Sequence, residues 1–125
     1  MQKFELINSY SKKFNISDKV KRLELETGIL KNKLKSGDKL IILDEHAKQF
    51  SSVDFAKWLN LEMNFSQNIT FAIGGPYGWD DSIRKSAYKS ISLSPMTFTA
   101  QMARLIFLEQ LYRAFTINKG LPYHK

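Results

Sequence analysis

Cysteine is missing from all 125 positions. That excludes a disulfide framework and every thiolate-based zinc, iron–sulfur or nucleophilic-cysteine site. Histidine occurs only twice, so a catalytic metal site is not expected either. Proline and glycine are sparse, three and six residues, and the chain has no low-complexity tract, internal repeat or linker-like stretch. No apolar run nears the roughly 18 residues of a membrane span, and Met1-Gln2-Lys3-Phe4 lacks a signal-peptide layout. A soluble, cytoplasmic protein with no membrane partner is the expectation. Neither a phosphate-binding P-loop nor a G-x-G-x-x-G fingerprint is present, which weakens the case for a nucleotide-dependent enzyme.

What is present is ordinary globular material: 43% hydrophobic and 25% charged residues, enough for one packed core. The expectation is a single domain over 1–125. Nineteen Lys and Arg against twelve Asp and Glu leave a net charge of +7. Such an excess favours polyanions, nucleic acid above all, although many basic proteins bind nothing acidic. The basic residues are scattered rather than clustered into an arm.

The apolar pattern alternates between two periods. Phe4-Glu5-Leu6-Ile7 reads as a short strand. From Ser17, the spacing of Val20, Leu23, Thr27, Leu30 and Leu34 predicts a helix that stops at Gly37. Leu40 to Leu43 reads as a strand buried on both faces and ending at Asp44. Ser51 with Asp54 makes a capping-box start for a helix whose face is Phe55, Trp58, Leu59 and Met63. Ile69 to Ile73 is the next strand, and Asp80 or Asp81 caps a helix expected to run through Lys89. A strand over Ile91-Ser92-Leu93 follows. The longest helix spans about Thr99 to Asn118 and ends at Gly120 and Pro122. Its first half, with Met102, Ala103, Leu105, Ile106, Phe107 and Leu108, is apolar nearly all round and should pack on several sides.

This order predicts an α/β fold with a mostly parallel sheet and helices on both faces. Ligands of such sheets sit beyond the carboxyl ends of the strands. Leu43-Asp44-Glu45, Gly74 to Gly78, and the segment after Leu93 should therefore surround one pocket. Within it, Gly74-Gly75-Pro76-Tyr77-Gly78 suits either close backbone approach to a ligand or a plain tight turn. Asp44 and Glu45 suit a ribose or hydroxyl anchor, or solvated loop carboxylates, the latter favoured for Glu45; His46 fits a surface loop. Glu109 and Arg113, at i,i+4 on the last helix, make either an exposed ion pair or a guanidinium oriented toward an anionic substrate. The ending Pro122-Tyr123-His124-Lys125 is either an idle tail or a set able to stack on a base, move a proton and hold a phosphate.

Three segments carry a more specific signal. Ile73-Gly74-Gly75-Pro76-Tyr77-Gly78, Ser92 to Phe98, and Leu108 to Phe115 continuing to Pro122-Tyr123-His124 resemble, in order and spacing, the bacterial RlmH family. These are pseudouridine N3-methyltransferases of large-subunit (23S) ribosomal RNA, within the SPOUT superfamily. The likeness extends back through Leu43-Asp44 to Phe4–Ile7. It implies a C-terminal trefoil knot, an exception to unknotted chains, S-adenosyl-L-methionine as cofactor, a homodimer with sites drawn from both subunits, and a ribosomal RNA or ribosome partner. By the same likeness, Leu43, Gly74, Gly75, Gly78, Leu93, Ser94, Pro95, Met96, Thr97 and Phe98 are expected at the cofactor, and Arg113, Tyr123 and His124 at the substrate. His124 would accept the N3 proton while Arg113 stabilises the uracil anion. Two departures stand out: Thr99-Ala100 replaces the family's Pro-His, and of the family's first strand and helix, ahead of what here is Phe4, the sequence either lacks both or begins inside them. The alternative is a catalytically degenerate RNA- or ribosome-binding module on the same fold.

Overall fold

The computed structural model describes residues 4–8, 19–64, 68–74 and 78–124. Four strands, β1 (Phe4–Asn8), β2 (Lys39–Leu43), β3 (Ile69–Ile73) and β4 (Lys89–Ile91), alternate with helices α1 (Lys19–Lys33), α2 (Ser52–Glu62), α3 (Asp81–Ser86) and α4 (Ala100–Asn118). The strands form one parallel sheet in the order β1-β3-β2-β4. The chain thus lays β3 on one side of β2 and β4 on the other, which leaves a crevice at the carboxyl ends of β2, β3 and β4.

Side chains alternate across each strand, and the sheet accordingly has two cores. Ile41, Ile69, Phe71 and Ile91 pack with Phe55, Ala56 and Leu59 of α2 and Phe107 and Ala114 of α4. Ile7, Leu40, Ile42 and Ala72 face the other way, toward Leu30 of α1 and Trp79 and Ile83 at α3. Helices therefore cover both faces, as the strand–helix alternation predicts. The first core is built around Phe71 and Phe107, whose ring centroids are 4.7 Å apart, with Phe55 edge-on to both.

The caps follow local chemistry. Ser51 Oγ accepts from the Asp54 N–H at 3.0 Å, and Asp80, not Asp81, caps α3 by accepting from the Ile83 N–H at 3.0 Å. Gly120, at φ +70°, closes α4 in a Schellman turn: the Gly120 N–H reaches Ile117 O and the Leu121 N–H reaches Thr116 O at 2.9 Å.

Four expectations need correction. Helix α3 ends at Ser86 rather than Lys89, because the edge of β2 captures the chain: the Tyr88 N–H donates to Leu40 O at 2.8 Å. Strand β4 consequently begins at Lys89 and stops at Ile91, after which Ser92 bridges Gln49 and Leu93 leaves the sheet. Val20 and Met63, placed on helix faces by spacing, are exposed at the ends of α1 and α2. Met102, Leu105 and Leu108 of α4 are also exposed, so that helix is covered on one side and bare on the other.

Candidate functional site

The crevice holds a cavity of about 320 Å³, within the usual range for small-molecule sites. Three distant stretches meet there: Leu43 to His46 after β2, Ile73, Gly74, Gly78 and Trp79 after β3, and Leu93 to Ala103 after β4. Of the residues anticipated at a cofactor, Leu43, Gly74, Gly78, Leu93, Ser94, Met96, Thr97 and Phe98 line the cavity. Pro95 does not; it is exposed beside the lining. Gly75, with Pro76 and Tyr77, lies outside the described residues.

Each wall is fixed by side-chain hydrogen bonds, most of them between residues far apart in the sequence. The Trp79 indole N–H donates to Leu43 O at 2.9 Å, joining the ends of β2 and β3. Ser92 Oγ lies 3.2 Å from Glu45 O and 3.0 Å from Ser94 O, and the Met96 N–H donates to Ser94 Oγ at 3.0 Å, shaping the turn over the third wall. Thr97 Oγ1 donates to Glu45 Oε2, clasping the first wall to the third. Glu45 is an exposed loop carboxylate that Thr97 engages, and His46 is an exposed loop residue at the rim. Glycine is required twice. Gly78 sits at φ +73°, and a methyl at Gly74 would lie 3.1 Å from Trp79 Cε2 and 3.2 Å from Gly78 O.

Asp44 is occupied internally. Its Oδ1 accepts from the His46 N–H at 3.0 Å and its Oδ2 from Arg84 Nε at 3.1 Å, leaving its side chain only 10% exposed. Arg84, which the sequence reading did not single out, lines the cavity. The available signal was its place on the first helix after the glycine turn. Ala100 also lines the cavity and offers only a methyl group.

The second cluster lies elsewhere on α4. Glu109 Oε1 accepts from Arg113 Nη2 at 2.7 Å, from Arg113 Nε at 3.0 Å and from the Tyr123 hydroxyl at 3.0 Å. The Arg113 fork holds Glu109 below the usual carboxylate range, and Glu109 in turn raises Arg113. The bond to Glu109 pushes Tyr123 up as well, since a phenolate there would face a carboxylate. Tyr123 therefore stays a donor. Arg113 Cζ is 4.9 Å from the centre of the Tyr123 ring, and Tyr112 meets that ring edge-on at 4.8 Å. Arg113 Nη1 is 2.9 Å from His124 Nδ1. A guanidinium only donates, so Nδ1 is the acceptor and the neutral ring carries its proton on Nε2. The tail is therefore tied to α4, not idle. Yet Arg113, Tyr123 and His124 do not line the cavity; Arg113 is ten residues beyond Ala103, about 15 Å along the helix.

Among the described residues no group of three His, Asp or Glu could hold a metal ion, and no helix is long and apolar enough to cross a membrane.

A family model described as "Predicted SPOUT methyltransferase" matches residues 1–124. The chain belongs to this SPOUT methyltransferase family. It is similar to proteins named ribosomal RNA large subunit methyltransferase H. The Bacteroides fragilis protein is 46% identical over 102 residues, 81% of this chain and 65% of the relative. The Flavobacterium psychrophilum protein is 46% identical over 121 residues, 96% of this chain and 76% of the relative. That of Christiangramia forsetii is 43% identical over 122 residues, 97% and 77% of the two chains. The SPOUT chain thus spans 65% to 77% of the length of these relatives. Membership makes a methyl donor the ligand to test against the cavity. The lining mixes apolar contact from Leu43, Ile73, Leu93 and Phe98 with polar groups of Arg84, Glu45 and Thr97.

Proposed function

We propose that this SPOUT chain is an S-adenosyl-L-methionine-dependent methyltransferase acting on N3 of a pseudouridine in large-subunit ribosomal RNA, working in the cytoplasm as a homodimer. The meeting of three distant segments in one cavity at the carboxyl ends of parallel strands is the observation that carries it. The name shared by the relatives supports the substrate, and the net charge of +7 suits an RNA partner. The reading includes a C-terminal trefoil knot, in which the last strand and helix pass through a loop of the preceding chain.

Bound S-adenosylmethionine supplies an electrophilic methyl group on sulfonium. Leu43, Gly74, Gly78, Leu93, Ser94 and Met96 to Phe98 would hold it, mainly through backbone groups. The acceptor nitrogen must first lose a proton. In this chain His124 Nδ1 is the atom that can take it, and Arg113 occupies that atom. Arg113 therefore moves first, onto the uracil carbonyls where negative charge develops, and frees Nδ1 to accept the proton. Glu109 and the Tyr123 ring guide the guanidinium during that move.

On this reading, a second copy brings the groups farther along α4 to the cavity. Met102, Leu105, Leu108 and Tyr112 form an exposed stripe at helical spacing, with Leu105 63% exposed. An antiparallel α4 pair centred on Leu108 sets Arg113 of one copy beside Ala103 of the other, at the cavity wall.

Calorimetric titration with S-adenosylhomocysteine tests the cofactor, and mass mapping of ribosomal RNA from cells lacking the protein tests the product. A missing methyl mark supports the reading. An intact mark, together with no adenosyl binding at millimolar concentration, overturns it in favour of an RNA- or ribosome-binding module.

A further inference from the structure

The cavity has a polar feature that the apolar lining and glycine turn do not require. Arg84, on the last turn of α3, is the one Lys or Arg among the described residues that line it. Its Nε is engaged by Asp44 Oδ2 at 3.1 Å, while the nearest other carboxylate, Asp81 Oδ1, lies 4.0 Å from Nη1. Nη2 points toward the glycine turn, 3.5 Å from where a Gly78 side chain would begin. The Arg84 side chain is 38% exposed against 10% for Asp44. Asp44 is itself fixed by the His46 N–H and by its place directly after β2, where its own N–H donates to Ile91 O at 2.9 Å. One edge of the guanidinium is thus clamped by a nearly buried carboxylate and the other edge is left beside the cavity. Such a fork is preorganised for a second, bidentate anion.

On the cofactor reading above, we infer that Arg84 receives the α-carboxylate of the methionine moiety, with Asp44 as the residue that positions it. S-adenosylmethionine carries one anionic group, that carboxylate, and this is the one partner on the molecule that the two N–H groups of the remaining guanidinium edge match. The adenine and ribose then lie toward the apolar and backbone-rich parts of the lining. The arrangement also makes the pocket selective: a nucleoside without an amino-acid tail fills the same cavity and leaves Arg84 unused.

Calorimetry on the intact chain with two probes tests this. S-adenosylhomocysteine has the carboxylate; 5′-methylthioadenosine keeps the adenosine and thioether and lacks the tail. Arg84→Gln should weaken S-adenosylhomocysteine binding about ten- to a hundredfold, the usual worth of a charge-assisted hydrogen bond, and leave 5′-methylthioadenosine unmoved. Arg84→Lys, which keeps the charge and loses the fork, should fall between Gln and the parent; it also serves if Arg84→Gln fails a thermal-melt check of folding. Equal losses for both probes, or no loss for either, would overturn the assignment and leave Arg84 a clasp between α3 and β2. If the parent chain binds neither probe, the cofactor reading itself has failed and this inference falls with it.

Discussion

At the residue scale, the two described glycines of the cavity wall do different work and should fail differently. Gly78→Ala forces a side chain into the left-handed region at φ +73°, costing roughly 1–2 kcal/mol of stability. Gly74→Ala leaves the backbone unstrained but sets a methyl against Trp79 and the Gly78 carbonyl, an overpacking cost of about 1–3 kcal/mol. Denaturant melts should show both losses. Only Gly74→Ala should also displace the indole that forms the wall, so its adenosyl affinity should fall further than its stability explains. His124→Ala should behave in the opposite way. Turnover should drop by about a hundredfold or more in single-turnover assays, with S-adenosylhomocysteine affinity nearly unchanged; a parallel loss of both would remove His124 from proton transfer.

Gly74 and Gly78 at the cavity were legible in the sequence because a glycine-rich turn after a buried strand is a local signal. Arg84 was not. Its meaning depends on Asp44, forty positions earlier, which the fold brings to 3.1 Å from it. The contacts of Asp44 were out of reach for the same reason, since spacing cannot show that each carboxylate oxygen already has a partner.

At the element scale, α3 has only six residues and relies on its cap. Burial alone would raise the Asp80 pKa. Hydrogen bonds from the Ser82 hydroxyl, the Ile83 N–H and the Thr27 hydroxyl outweigh that and hold it below the usual range. A lowered folded value means the contribution is present above the unfolded carboxylate pKa, about 3.9, and is lost as pH falls through the lower folded value. Asp80→Ala should therefore cost about 1 kcal/mol near neutrality, and the gap to the parent should close in strong acid. Urea melts at pH 7 and at pH 3 or below would show it; a gap that widens in acid would contradict the sign.

Elements with self-contained signals were read well. Ser51 and the run of β3 marked their own boundaries, and Thr99 caps α4 by accepting from the Met102 N–H at 3.2 Å. Helix α3 was drawn too long because nothing in Ala87-Tyr88-Lys89 forbids a helix. Capture by the β2 edge decides it, and that edge is a tertiary fact.

At the scale of the whole molecule, an apolar run around α4 suggested burial on every side, and the chain buries one side only. The other, through Met102, Leu105 and Leu108, is the surface a second copy would cover. Leu105→Lys should convert the protein to a monomer in sedimentation velocity, keep a cooperative melt, and abolish methylation. If each site takes its cavity from one copy and its Arg113 from the other, mixing Arg113→Ala with Gly74→Ala chains should recover activity that neither has alone. Failure of the mixture, with both variants folded and dimeric, would place the whole site in one chain.

Trp79 gives the cavity an optical signal of its own. The chain has two tryptophans, and this one is buried in the wall with its indole N–H on Leu43 O. With Trp58 replaced by phenylalanine, the remaining fluorescence comes from a ring at the mouth of the crevice. Ligand arrival should then be visible as quenching in a stopped-flow trace, with no label, no radioactivity and no RNA.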